Sequence, residues 1–316
     1  MEIINDTLCP SLPAATAATI GFFDGVHLGH QFLLQQVKET ARANNLKTLV
    51  ITFREPPRKV LDKQFSSNLI TTFDERIHLI AQLGIDYCYI LDFNKDMAKL
   101  TSEDFIRQYL HDRLHVKILL VGYDHHFGSD HSKHFEDYQA SGRLFNIDVR
   151  QASEYSSEDF RGISSSAIRD LIRQGDLEKA NKLTCSAYTL SGRVIHGKEI
   201  GRTIGFPTAN IELSTNEKIL PPEGVYAVTA KIDGSEFPGV ANWGKRPTVN
   251  AAEVPVLEIH LLNYTGNLYD SHIHVLFRKR LRPEKRFNSL GELQHAILQD
   301  IKDVKNFFAS QPEQRI

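Results

Sequence analysis

Two histidines separated by Leu-Gly close the segment Gly21-Phe22-Phe23-Asp24-Gly25-Val26-His27-Leu28-Gly29-His30. Paired imidazoles can donate hydrogen bonds to the charge that grows on a triphosphate during attack. Gly25 and Gly29 would let the backbone come close to a phosphate. Ala18 to Phe23 reads as a buried strand, and Gln31 to Asn44 carries Phe32, Leu33, Val37 and Ala41 at helical spacing. The histidines therefore fall on a strand-to-helix turn, beside helix N–H groups that attract anions. A His-x-x-His pair also fits zinc ligation or a helix cap. The order of strand, glycine-bracketed turn and helix favours phosphate.

A second candidate is Gly162-Ile163-Ser164-Ser165-Ser166-Ala167-Ile168-Arg169. Serines that open a helix are ordinarily caps. Three hydroxyls followed by an arginine would equally suit a phosphate clamp, and composition alone does not choose between the two.

The third is Gly201-Arg202-Thr203-Ile204-Gly205-Phe206-Pro207-Thr208-Ala209-Asn210, taken with Leu257-Glu258-Ile259-His260-Leu261. Thr208 and Asn210 offer hard oxygens suited to Mg²⁺, which takes few protein ligands and leaves room for nucleotide phosphates. Arg202 and the loop amides could cover a phosphate tail. Glu258 alternates with Leu257, Ile259 and Leu261, so it and His260 face the other side of a strand. Such a glutamate is ordinarily solvent-facing, but phosphoryl transfer to an alcohol benefits from a carboxylate that accepts the hydroxyl proton.

Two further motifs point elsewhere. Gly239 to Lys245 begins like a Walker A loop, yet Arg246 and Pro247 follow where Ser or Thr and a helix are needed. His125, His126, His131 and His134 invite a metal, but without a nearby cysteine a solvated loop is the better account.

The chain has 316 residues, long for one core, so two domains are the default. Lys plus Arg (37) nearly balance Asp plus Glu (39) for a net charge of -2, which gives no basic stripe for nucleic acid. Cys9, Cys88 and Cys185 are scattered, which fits a reducing cytoplasm rather than a disulfide framework. No apolar run is long enough to span a bilayer, so no membrane partner is expected.

Up to about residue 150, strand-like runs at Thr48-Phe53, Tyr87-Leu91, Lys117-Gly122 and Ile147-Arg150 are separated by helices near Asp74-Leu83 and Ser102-Asp112. That alternation predicts a Rossmann-like α/β domain with a parallel sheet. Helices at Ser164-Arg173 and Asp176-Leu183 would close it. Short β-rich runs then follow at Thr189-Ile195, Val225-Ile232, Phe237-Asn242, Val256-Leu262 and His272-Arg280. They predict a small antiparallel barrel, with an amphipathic helix over Ser289-Phe308 packed on it. The domains expected are 1–185 and 186–316.

Gly21 to His30 together with Ile-Ser-Ser-Ser-x-Ile-Arg resembles the nucleotidyltransferase superfamily that transfers adenylyl or cytidylyl groups. More narrowly, it resembles the N-terminal half of the bacterial bifunctional riboflavin kinase/FAD synthetase family. Pro207-Thr208-Ala209-Asn210, Glu258, Asn242 to Thr248, Gly266 to Tyr269 and Arg280 to Glu284 resemble the kinase half. The resemblance implies that riboflavin and ATP give FMN in the barrel, and that FMN and ATP give FAD and pyrophosphate in the N-terminal domain. It implies His27 and His30 as catalytic groups of adenylyl transfer, with Gly21, Phe23, Asp24, Gly29, Ser165, Ser166 and Arg169 around the ATP phosphates. For the kinase it implies Glu258 as base, Gly201, Arg202, Thr208 and Asn210 at ATP, and Thr208 and Asn210 at Mg²⁺. Asp124 and Arg282 are the expected flavin contacts.

Two segments depart from that family pattern. Thr52-Phe53-Arg54-Glu55-Pro56-Pro57-Arg58 lacks the histidine common between the prolines, and His125 and His126 stand where Phe and Arg are frequent. They leave open an alternative: a monofunctional riboflavin kinase with a diverged N-terminal domain. A flavin-binding regulator is a third reading, opposed by the presence of Glu258, His27 and His30.

Overall fold

A computed structural model describes residues 1–6, 12–62, 64–122, 127–129, 134–156, 162–197, 201, 204–247 and 253–310, with backbone alone at 245–247 and 253–255. It divides into two compact units, Met1–Ser165 and Ser166–Ile316.

The first unit is a parallel sheet of β1 (Glu2–Asn5), β2 (Thr16–Ile20), β3 (Lys47–Phe53), β4 (Tyr87–Leu91), β5 (Val116–Val121) and β6 (Asp148–Gln151). Their order is β1-β4-β3-β2-β5-β6. The helices are α1 (Leu28–Ala43), α2 (Pro57–Leu61), α3 (Phe73–Gln82), α4 (Ser102–Phe105) and α5 (Phe135–Leu144), with a π-helical turn over Ile106–His111 after α4. All of β2 is buried, as a central parallel strand covered on both faces must be. Its alternate residues serve different layers. Ala18 and Ile20 join Leu49, Ile51, Tyr89 and Leu119, whereas Ala17 packs with Ile118, Leu120 and with Val37 and Ala41 of α1. After β2 the chain builds β3 and β4 on one side and β5 and β6 on the other. The strand ends at that switch point form the crevice where open α/β sheets bind ligands, and the Gly21–His30 segment follows directly from β2.

The second unit carries α6 (Ser165–Gln174) from its second residue on, α7 (Leu177–Thr184) and a terminal helix Leu290–Ser310. Between them lies a closed barrel of β7 (Tyr188–Ile195), β8 (Ala209–Leu213), β9 (Gly224–Ile232), β10 (Ser235–Pro247), β11 (Glu253–Leu261) and β12 (His272–Arg282). Its strand pairs are antiparallel. Val304 of the terminal helix is buried against Val225, Ala227, Val240 and Leu262, and Ser289 caps it by accepting from the Glu292 amide at 3.2 Å.

The structure departs from the sequence expectations in several places. β2 ends at Ile20, three residues early, because Phe23 takes a left-handed backbone. β1, α2, α5 and β8 carry too few periodic residues to stand out in sequence. The Walker-like run lies within strand β10, which settles it as no phosphate loop. The two compact units part between Ser165 and Ser166, so α7 goes with the barrel. The physical cause is that α7 is tied to the barrel. Asn181 Nδ2 donates to the Phe277 carbonyl at 2.8 Å, its Oδ1 accepts from the Tyr188 amide at 2.7 Å, and Lys279 pairs with Glu178 at 3.2 Å.

Candidate functional site

In the first unit the segment after β2 is a strained turn. Phe23 has φ 58°, Gly25 φ 79° and Val26 φ 40°. Left-handed φ at a non-glycine costs about 1–3 kcal/mol, and a β-branched valine there is a true outlier, so the surroundings must over-determine the turn. They do so through Asp24, which is 2% exposed. Its carboxylate accepts from the amides of Ile70 (3.0 Å) and Thr71 (3.0 Å) and from the Thr71 hydroxyl (3.1 Å), while the Gly25 amide donates to Thr71 Oγ1 at 2.9 Å. Gln31 Nε2 donates to the Val26 carbonyl at 2.8 Å, and Ser165 Oγ to the Asp24 carbonyl at 2.9 Å.

The turn delivers both histidines together. His27 caps α1, its Nδ1 accepting from the His30 amide at 3.3 Å. With Nδ1 accepting, the proton of a neutral His27 ring resides on Nε2. The two rings stack at 3.6 Å and 20°, and Phe23 meets His30 edge-on at 5.2 Å. Gly21 and Gly29 each pack against an aromatic ring of the turn. A Cβ at 21 would meet the Phe23 ring at 2.9 Å, and one at 29 would meet the His27 ring at 3.2 Å.

Asp24 stands apart from the other expected phosphate residues, since its carboxylate is committed to the segment before α3. Ser166 and Arg169 lie on α6 in the second unit, exposed and half-buried respectively. Asp124 lies outside the described residues, as do His125, His126 and His131. His134 precedes α5, its amide donating to Asp137 at 2.9 Å. Among the described residues no three His, Cys, Asp or Glu side chains are grouped to hold a metal.

In the barrel the site rests on strand register. Glu258 of β11 lies opposite Asn210 of β8 and Asn242 of β10, so the three share one face. Leu257 and Ile259 on the other face are buried in the barrel. Leu261, on the same face, is half-buried and lines a cleft together with Ile259. Asn210 is 6% exposed because Gly197 packs directly on its amide, where a Cβ would collide. His260 Nδ1 lies 2.9 Å from the Pro207 carbonyl, which ties the approach to Thr208 to β11. Gly201 closes the same loop by accepting from the Phe206 amide at 2.8 Å. Arg202 lies outside the described residues.

A cleft of about 540 Å³ opens beside Thr208, walled by Val194, Pro207, Ile259, Leu261 and the loop 264–269. Its size suits a nucleotide-sized ligand. At Tyr269 the wall is backed by His196, stacked on that ring at 3.9 Å. Arg282, the expected flavin contact, forms a two-bond pair with Asp300 of the terminal helix, both at 2.8 Å, with Asp300 5% exposed at its side chain.

The FAD synthetase family model matches residues 9–167, and the riboflavin kinase family model matches 184–308. The bifunctional riboflavin kinase/FMN adenylyltransferase of Escherichia coli (strain K12) is 40% identical over 291 residues, 92% of each chain. The enzyme of the same description from Bacillus subtilis (strain 168) is 37% identical, covering 94% of each. The chain belongs to the bifunctional riboflavin kinase/FMN adenylyltransferase family. It carries both domains of that family and is an enzyme of flavin cofactor synthesis, which decides against a kinase with a diverged N-terminal half. A solved structure described as a macrolide-efflux protein from Streptococcus pneumoniae has the same fold, with a TM-score of 0.88 and 30% identity over 97% of this chain and 99% of that one. Among the described residues of the present chain, no helix is long and apolar enough to cross a membrane.

Sequence reasoning missed the support beneath the histidine turn. Ile70 and Thr71 hold Asp24, and Arg76 one turn into α3 is fully buried. A signal was present in Thr72-x-x-Glu75, a capping box that both hydrogen bonds now bear out (2.9 and 3.3 Å). It marks the start of α3, but not what the residues before it hold.

Proposed function

We propose that each half works through the phosphate-facing group just described: the stacked histidines in the N-terminal domain, expected over 1–185, and Glu258 with Asn210 and Thr208 in the C-terminal domain, expected over 186–316. In the kinase step the terminal ribityl hydroxyl of riboflavin attacks the γ-phosphorus of ATP. The new O–P bond forms as the bridge to the β-phosphate breaks, and ADP leaves. Glu258 accepts the hydroxyl proton. The nucleotide lies beside Thr208, with Gly201 and Arg202 at its phosphate tail.

Thr208 and Asn210 fit Mg²⁺ by donor chemistry, a hydroxyl and an amide oxygen, the latter fixed against Gly197. The ion would neutralise phosphate charge there. Arg282 has Nε and Nη2 on Asp300 and donates from Nη1 to the Pro283 carbonyl at 3.3 Å, so its larger part is to seat the terminal helix, and a flavin contact falls to the second Nη1 hydrogen.

In the adenylyl step a phosphate oxygen of FMN attacks the α-phosphorus of ATP and pyrophosphate leaves. His27, donating from Nε2, and His30 stabilise the charge that develops, with no covalent enzyme intermediate. Gly21, Phe23, Asp24 and Gly29 shape the turn. Ser165 serves through its bond to that turn, Ser166 and Arg169 bind phosphate directly, and Asp124 contacts the flavin. The substrates are riboflavin, FMN and ATP, with no nucleic acid or membrane partner, and the cytoplasm supplies them.

The observation that carries this proposal is the stacked His27–His30 pair held on a turn at the sheet's switch point. A chromatographic time course from riboflavin, ATP and Mg²⁺, with a parallel reaction from FMN, tests it. FMN followed by FAD is expected; products that stop at FMN, with supplied FMN untouched, would remove the histidine assignment.

A further inference from the structure

Arg76 is 0% exposed, and no carboxylate is bonded to it among the described residues. Burying a charge is costly, and an apolar side chain of similar volume in such a place is often the more stable choice. The contacts it makes explain what the cation achieves. Nη2 donates to the carbonyl of Phe53 at 2.7 Å and of Arg54 at 3.4 Å, at the end of β3. The guanidinium lies 4.2 Å from the centre of the Phe22 ring and 5.6 Å from that of Phe73, whose ring also meets Arg54 at 5.0 Å. Cations and rings thus alternate from Arg54 through Phe73 and Arg76 to Phe22, the residue just before the strained Phe23. Thr52 completes the tie by donating from Oγ1 to the Phe22 carbonyl at 3.3 Å. Nε and Nη1 have no acceptor among the described residues. Burial pulls the guanidinium down to about 10 while Asp24 opposes that shift, so Arg76 is a cation at neutral pH.

α3 therefore reaches the turn through two arms. Ile70 and Thr71, just before the helix, hold Asp24, and Arg76 holds Phe22 and the β3 end. We propose that Arg76 is a positioning residue for adenylyl transfer, a buried cation that fixes Phe22 against the end of β3 and so sets the strained turn on which His27 and His30 meet the phosphates. The inference rests on the histidine assignment above. A stabilising role alone would be filled equally well by a packed apolar side chain. A positioning role requires the charge, and it acts on the transition state more than on substrate affinity.

The experiment uses the full chain and follows both activities on each sample, so the kinase rate is an internal control. Arg76→Met is expected to lower kcat for FAD formation from FMN about tenfold or more, with KM for FMN and ATP changed less than about threefold and the kinase unaffected. Arg76→Lys keeps a cation and a donor for the Phe53 carbonyl, and should recover at least about a third of the wild-type kcat. A kcat within about twofold of wild type in Arg76→Met, a rise in KM alone, or an equal loss in the kinase overturns the inference. If Arg76→Met does not fold, Arg76→Lys and Phe22→Leu decide. Phe22→Leu leaves the arginine's hydrogen bonds but removes the ring, and should lower kcat about fivefold; a kcat within about twofold of wild type there, or an Arg76→Lys kcat below about a third of wild type, overturns the proposal. His30→Ala in parallel separates the two layers. Its loss of FAD formation beside a normal Arg76→Met sinks Arg76 alone, whereas full activity in His30→Ala sinks the histidine assignment beneath it.

Discussion

The proposed sites in the two halves of this enzyme are built by opposite structural means. The N-terminal histidines sit on a turn with Phe23 and Val26 at positive φ, and Asp24, Thr71 and Gln31 hold it in place. The barrel site needs no such backbone. Glu258, Asn210 and Asn242 face one way because regular antiparallel register puts them opposite each other. A strained turn can point two imidazoles at one spot, but it depends on every brace. A register site is distributed over a ladder of backbone hydrogen bonds and depends chiefly on the side chains themselves. Substitutions of distant braces should therefore damage adenylyl transfer more than the kinase.

Loss of the proposed kinase base is the largest effect expected. Glu258→Ala should lower FMN formation from riboflavin by about 10²–10⁴-fold, while FAD formation from supplied FMN continues at the wild-type rate. Product analysis from the two starting flavins measures both, and a parallel fall in the second reaction would undo the separation of the sites. His30→Ala is the counterpart. It should lower FAD formation by about 10²–10³-fold and let FMN accumulate from riboflavin, and unchanged FAD output would remove His30 from the transition state.

The sequence shows these side chains more readily than it shows their supports, and the reason is physical. His27, His30, Ser289 and Glu292 lie within a turn of the partners that define them, so local spacing reveals the cap or motif. The barrel strands alternate inward and outward residues, which period-two patterning also reveals. Asp24 and Ile70 are 46 residues apart and Arg76 and Phe53 are 23 apart, so only the fold brings them together. Phe22-Phe23 extends an apolar run and reads as strand, because nothing local tells that a phenylalanine will be forced to φ 58°. Thr208 is legible as an oxygen donor, but the cleft beside it depends on the loop 264–269, far away in sequence. Cys88 is equally silent in sequence; burial pushes its thiol up to about 12 against the pull of Arg76, and it stays protonated at neutral pH.

Glycines sharpen the contrast, because each site has one packed against a functional side chain. Gly197→Ala places a Cβ on the Asn210 amide, which is 6% exposed and has little room to retreat. Displacement by about 1 Å costs on the order of 10² in rate, so the kinase should fall by about that much and adenylyl transfer should not change. Steady-state rates for both reactions measure it, and a kinase within twofold of wild type would free Asn210 from a positional role.

Gly29→Ala is the gentler change. The new Cβ would lie 3.2 Å from Cε1 and Nδ1 of His27, tight by only a few tenths of an ångström, and Gly29 sits within α1 where alanine is a favourable residue. Helix propensity therefore gains roughly 1 kcal/mol at the moment that the ring is pushed. The variant should unfold at a temperature no lower than wild type and yet form FAD about three- to tenfold more slowly, since His27 both caps α1 through Nδ1 and stacks on His30 at 3.6 Å. Stability and activity would then move in opposite directions, as a turn shaped for chemistry rather than for stability requires. Thermal unfolding and FAD formation on one preparation decide it: equal activity at equal or higher stability would mean that the His27 ring has slack, and that the turn holds it less tightly than its braces imply.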